Sequence, residues 1–233
     1  MAQVFSSAYI AAMAEAADWA VETEARLLDA ALPHVRELGW TSRLVNRAAG
    51  LAGLSAAEAG LLLPQGARDL AALFSYRQDE AAMTALAEVD PAGLKIRERI
   101  ARGVQARVAA AMSDEAASRR LMGFLALPQN LALGGRLASD SADRIWRWAG
   151  DTSTDENHFS KRAILAALLT STLAVRLSDP VSADQHLARG IEAVMAYEKA
   201  KARFKLGDPA AAAAAFLGRL RHGRPAAPGA TRA

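Results

Sequence analysis

The stretch WRWAGDTSTDENHFSKRAILAALL, Trp146 to Leu169, crowds carboxylates, a histidine and two tryptophans against an apolar run. Three kinds of chemistry compete for it. Asp155, Glu156 and His158 are metal-ligand types, but a di-iron carboxylate bundle needs Glu-x-x-His pairs on two helices plus further glutamates, all facing inward. With four histidines, and no matching repeat around His34 or His186, the chain does not supply that set. No metal or other cofactor is expected. His158 and Asp155, about one helical turn apart, have acid–base types, yet no nucleophile or oxyanion hole is identifiable beside them. No catalytic residue is assigned, and the chain is read as a non-enzyme.

The third possibility is structural. Ser153 followed by Glu156 has capping-box spacing, and acids in a first turn suit the positive end of a helix dipole. Gly150 stands where a preceding helix needs a left-handed residue to stop. Trp146 and Trp148, two apart on a helix, are expected to face different sides, one inward and one nearer the surface. The acids are thereby explained without catalysis. His158, Phe159 and Arg162 mix aromatic and cationic character, which suits an interface.

The elements that would position these residues are helical. Hydrophobic residues make up 52% of 233 residues, much of it alanine and leucine, and only 6% are aromatic, a balance that favours helix over sheet. Strand-like alternation is absent. The apolar periods predict helices over 7–38, 41–50, 55–63, 66–88, 91–112, 114–126, 128–149, 154–177, 181–205 and 209–222, about ten in all. Pro33 is a candidate kink in the first. The tail GRPAAPGATRA has a disordered composition. With no cysteine, disulfides and thiolate metal sites are excluded, and a reducing compartment fits. The first twenty residues carry no Lys or Arg, so no secretory leader is expected there, and the apolar stretch 163–175 is too short to span a bilayer.

The net charge of +3 divides unevenly. From Lys199 onward eight basic residues face one acid, Asp208, while the preceding 198 residues carry a net −4. An acidic body gives no support to nucleic-acid binding; a basic tail suits an anionic surface. The segment RLLDAALPHVRELGWTSRLVNRAAGLAGLSAAEAGLLL nevertheless has the layout of a helix-turn-helix module. Its recognition helix reads SAAEAGLLLP, with one acid and no base or amide to reach base edges or phosphates.

The run WRWAGDTSTDENHFSKRAILAALLTSTLAVRLSD, together with LPQN at 127–130 and the N-terminal Gly-Trp module, resembles the ubiquinone-biosynthesis lipid-binding proteins of the Coq-nine family. Its pattern W-x-x-AGD-x-STD-x-N-x-Y/F-x-x-R-x-x-L is matched by Trp146, Ala149, Gly150, Asp151, Ser153, Thr154, Asp155, Asn157, Phe159, Arg162 and Leu165. Two positions depart: His158 stands where a tryptophan is common, and Gln129 where a histidine often stands. The resemblance implies a TetR-like all-α fold that has lost DNA binding and gained a lipid pocket. It also implies a homodimer that binds isoprenoid quinone intermediates and associates with the di-iron hydroxylase of demethoxyubiquinone. The docking patch carried over comprises Ile145, Asp155, His158, Phe159 and Arg162.

On the same resemblance Leu125, Leu165, Leu168, Leu169 and Thr172 are candidate pocket walls. In the tail, Phe216, Leu217 and Leu220 form an apolar stripe flanked by Arg219 and Arg221, a candidate membrane-binding helix. The expected organisation is a helix-turn-helix-like module at 1–65, a lipid-binding and dimerisation domain at 66–205, the amphipathic helix at 206–222 and a tail at 223–233. The expected protein is a non-catalytic accessory, cytoplasmic and peripheral on the inner membrane if bacterial. A ligand-responsive TetR-type transcriptional regulator is the alternative.

Overall fold

A computed structural model describes residues 7–151 and 156–204, with side chains described for 18–151 and 159–196. Among the described residues there are nine α-helices and no strand, as the alanine- and leucine-rich composition predicts. They are α1 (Ser7–Leu38), α2 (Ser42–Leu51), α3 (Ala56–Leu62), α4 (Ala67–Ala87), α5 (Ile96–Met112), α6 (Glu115–Leu125), α7 (Leu131–Trp148), α8 (Glu156–Ser178) and α9 (Ala183–Phe204). The all-α class is therefore shown. The expected tail helix, with Phe216, Leu217, Arg219, Leu220 and Arg221, lies outside the described residues.

Two predicted starts differ from the structure. Pro91 and Pro128 were expected to open helices directly, and each instead opens a short 3-10 turn, Pro91–Gly93 and Pro128–Asn130. After the first, Leu94 and Lys95 are extended, and α5 begins afresh with the Glu98 carboxylate accepting from the Lys95 N–H at 2.9 Å. Gly93 is a poor helix former, so the proline turn there does not propagate. Pro33, in contrast, is accommodated inside α1, which runs on to Leu38.

The chain forms two compact units. The first takes residues up to Arg77 together with Asp114–Leu133; the second takes Gln78–Ser113 and the residues from Gly134 onward. The module expected at 1–65 thus lies within the first unit. Thr41 caps α2, accepting from the Leu44 N–H at 3.4 Å. Gly53 at φ 72° ends it, with the Leu54 N–H donating to Ala49 O at 2.9 Å. Ser55 and Glu58 make the predicted capping box at the start of α3. Buried Trp40 anchors this module: its indole N–H donates to Ala117 O at 3.4 Å, and its ring lies 5.3 Å from that of Phe74. The exposed residues of α3 are Ala56, Ala57, Glu58, Gly60 and Leu61, none carrying a side-chain donor.

The second unit has its own core, built from Ile100, Val104 and Val108 of α5, Ala142 and Ile145 of α7, Ile164, Leu165, Leu168 and Leu169 of α8, and Leu187 of α9. Close helix approach is enabled by Gly103: a Cβ placed there would come within 2.4 Å of the Ile145 Cγ2 atom and 3.3 Å of its Cβ. Ile145 is 1% exposed and β-branched, so it has no easy escape. Helix propensity alone would make Gly103→Ala stabilising by about 1 kcal/mol. Overpacking costs about 1–3 kcal/mol. Net destabilisation is expected, read as a lower urea midpoint; an unchanged or raised midpoint would show that Ile145 yields.

Candidate lipid site

The motif Ala149-Gly150-Asp151 ends α7 in a Schellman cap. Gly150 adopts φ 89°, its N–H donates to Arg147 O at 3.0 Å, and the Asp151 N–H donates to Trp146 O at 3.0 Å. The left-handed glycine expected there is present, and the cap fixes where the next side chain goes. Asp151 points into the body of the unit, where its carboxylate meets the Lys161 Nζ at 2.9 Å and the Arg162 Nη1 at 3.5 Å, with only 9% of its side chain exposed. Arg162 completes the arrangement with Asp143 of α7 at 2.5 Å. Two acids and two bases therefore join the end of α7 to the first turns of α8. Trp146 adds to the joint: its indole N–H donates to Lys161 O at 3.1 Å, and the Lys161 ammonium lies 5.4 Å from its ring centroid.

These contacts explain most of the sequence pattern structurally. They also revise part of the expected docking patch. Ile145 is buried against Gly103, and Arg162 is 7% exposed and held by two aspartates, so neither presents a surface. Phe159 is 73% exposed. Asp155, the side chain of His158 and the Ser153–Glu156 capping box lie outside the described residues. The two tryptophans do not divide as expected, for Trp146 and Trp148 are both half-buried against the same core. At the other departure from the pattern, Gln129 has an exposed side chain, while Asn130 holds the turn by donating to Phe124 O at 3.0 Å.

Beside this joint lies a cavity of about 310 Å3 within the second unit. Its apolar wall comes from Ile96 and Ile100 of α5, Ile164, Leu165 and Leu168 of α8, and Ile191, Val194 and Met195 of α9. Trp146, Ala149, Gly150, Asp151, Lys161, Arg97 and Arg99 complete the lining. Arg99 is set by two backbone acceptors: its Nε donates to Leu94 O at 2.9 Å and its Nη1 to Ala149 O at 2.8 Å. A largely hydrophobic hollow with a few convergent polar groups is the usual form of a small-molecule site, although about 310 Å3 is the lower end of the usual range of about 300–1,000 Å3.

Of the five expected pocket walls, Leu165 and Leu168 line this cavity. Leu169 packs in the same core, and the Thr172 hydroxyl turns back to donate to Leu168 O at 2.7 Å. Leu125 belongs to the first unit, where it packs against that unit's core. The α5 and α9 walls and both arginines were missed. Ile96 and Ile100 sit one turn apart in KIRERI, a spacing that marks an inward face but not a hollow one.

The COQ9 family model matches residues 132–198, which hold the Schellman cap, the ion network and the α8 and α9 walls of the cavity. The chain is similar to "Ubiquinone biosynthesis protein COQ9, mitochondrial" of Rattus norvegicus, 28% identical over 162 residues, 66% of this chain and 51% of the relative. The Bos taurus protein of the same name is 30% identical over 162 residues, 66% and 50% of the two chains. "Probable ubiquinone biosynthesis protein coq9, mitochondrial" of Dictyostelium discoideum is 27% identical over 164 residues, 68% and 53%. The chain thus spans about half the length of the curated relatives it matches.

Breaking a buried pair leaves an uncompensated charge, at a cost of about 3–5 kcal/mol. Asp151→Asn is expected to approach the lower figure, because Arg162 keeps Asp143, and to depress the thermal midpoint markedly. A loss under about 1 kcal/mol would show the network to be dispensable. Residues 132–198, with the motif residues within them, carry the match to the COQ9 family model, and the chain is similar to COQ9 proteins over about two thirds of its length.

Proposed function

We propose that the chain is a non-catalytic accessory of ubiquinone biosynthesis that holds an isoprenoid quinone intermediate and presents it to the demethoxyubiquinone hydroxylase. The observation that carries this reading is the apolar cavity, bounded on α8 and α9 by the segment shared with the COQ9 proteins. A hollow of about 310 Å3 admits a head or a short length of chain, so the rest of a long isoprenoid tail extends beyond it. The homodimer, the docking role of Asp155, His158 and Phe159, and peripheral attachment at an inner membrane belong to the same proposal. Among the described residues no helix is long and apolar enough to cross a membrane. The regulator alternative is disfavoured by α3, whose exposed residues offer no donor to bases or phosphates.

Native mass spectrometry of the purified full chain, followed by lipid extraction, tests the central claim. A co-purifying polyprenyl quinone precursor is the expected result, and protein repeatedly free of lipid would overturn it. For the tail, replacing Arg219 and Arg221 together by Glu is expected to abolish flotation with anionic liposomes, since each basic residue near such a surface contributes about 1 kcal/mol. Unchanged flotation would remove Phe216, Leu217, Arg219, Leu220 and Arg221 from the membrane contact.

A further inference from the structure

The described lining of the cavity carries three cationic side chains, Arg97, Arg99 and Lys161, and one carboxylate, Asp151. That carboxylate is already shared between Lys161 and the buried Arg162. Neither Arg97 nor Arg99 has a carboxylate within ion-pair distance among the described residues. Arg99 uses two of its five N–H donors on the Leu94 and Ala149 carbonyls, which hold the guanidinium in place without neutralising it. Arg97, next to Ile96 and three residues before Ile100, is exposed. The lining of an apolar hollow thus includes a guanidinium fixed by two carbonyls and, among the described residues, without a carboxylate partner.

We infer that this cavity discriminates by head-group charge, taking a single-chain amphiphile with an anionic head in preference to a neutral one of equal length. The inference rests on the lipid reading of the cavity and adds the class of head: a carboxylate or phenolate accepts from Arg99 and Arg97, while the chain lies along Ile164, Leu165 and Leu168. A neutral head also accepts from the guanidinium, but it gains no attraction between opposite full charges. Size sets the chain. A cavity of about 310 Å3, at the small end of ligand sites, suits one short alkyl chain rather than a two-chain lipid. Among isoprenoid ring compounds, those with an ionised group on the ring are then held most tightly.

Isothermal titration of the full chain with decanoate, decanol, decylamine and acetate tests this. Decanoate is expected to bind about tenfold more tightly than decanol, decylamine more weakly than either, and acetate not detectably. Decanoate binding should weaken with added salt while decanol binding does not. Arg99→Gln and, separately, Arg97→Gln should each move decanoate affinity toward the decanol value and change decanol binding much less, a split that a loss of fold would not produce. Arg97 makes no structural hydrogen bond among the described residues, so its variant keeps the test valid if Arg99→Gln fails to fold. Equal, salt-insensitive binding of decanoate and decanol overturns the charge selection and leaves the apolar cavity standing. No binding of either overturns both, and binding of acetate alone would assign the arginines to a free anion.

Discussion

A carboxylate buried between two cations fixes the geometry of the second unit. Asp151 lies at the end of a Schellman cap, where backbone hydrogen bonds leave its direction little freedom, and it receives Lys161 and Arg162 from α8. Such a network is weak as a source of stability, because desolvating the charges offsets most of their attraction. Its effect is on register. Sliding α8 by one residue along α7 would turn Arg162 away from both Asp143 and Asp151, leaving buried charges of both signs without partners.

Register matters because the same turns of α8 supply the cavity. Lys161 belongs to the ion network and the cavity lining, and Ile164, Leu165 and Leu168 follow on the same helix at spacings of three and four. The α7 end contributes Trp146, Ala149, Gly150 and Asp151, so the cap and the rim are one structure. Arg99 reads that cap from the other side through the Ala149 carbonyl. The pattern AGD followed by a basic pair therefore combines a backbone requirement, an electrostatic requirement and a boundary for the hollow.

Much of the helical framework was legible because it depends on local rules. Thr41 and Ser55 act as caps, Gly39, Gly53 and Gly150 take positive φ, and the apolar periods place the helices within a few residues. The proline start at Pro91 misled because proline fixes only its own φ and the residues that follow decide whether a turn propagates, whereas the turn at Pro128 runs straight into α7. At the site, Leu165 and Leu168 were expected as walls on the family resemblance and do line the cavity, but nothing in the sequence separates them from Leu169, since a wall and a packed neighbour have the same residue type and periodicity. Carrying Arg162 and Ile145 into a docking patch did not anticipate their burial for a related reason: a motif marks which residues matter together and does not say which face water. Arg99 left no sequence signal, because its role depends on a carbonyl fifty residues away.

Leu168 has a second neighbour besides the hollow. A Cβ at Gly190 of α9 would lie 2.3 Å from its Cδ1 atom, so the leucine fills the notch left by a missing side chain. Leu168 is fully buried within the cavity wall, with its Cδ1 atom seated where a side chain at position 190 would stand. A single methyl group at position 190 would collide with the leucine, so the approach of α9 to α8 at this wall depends on a glycine there.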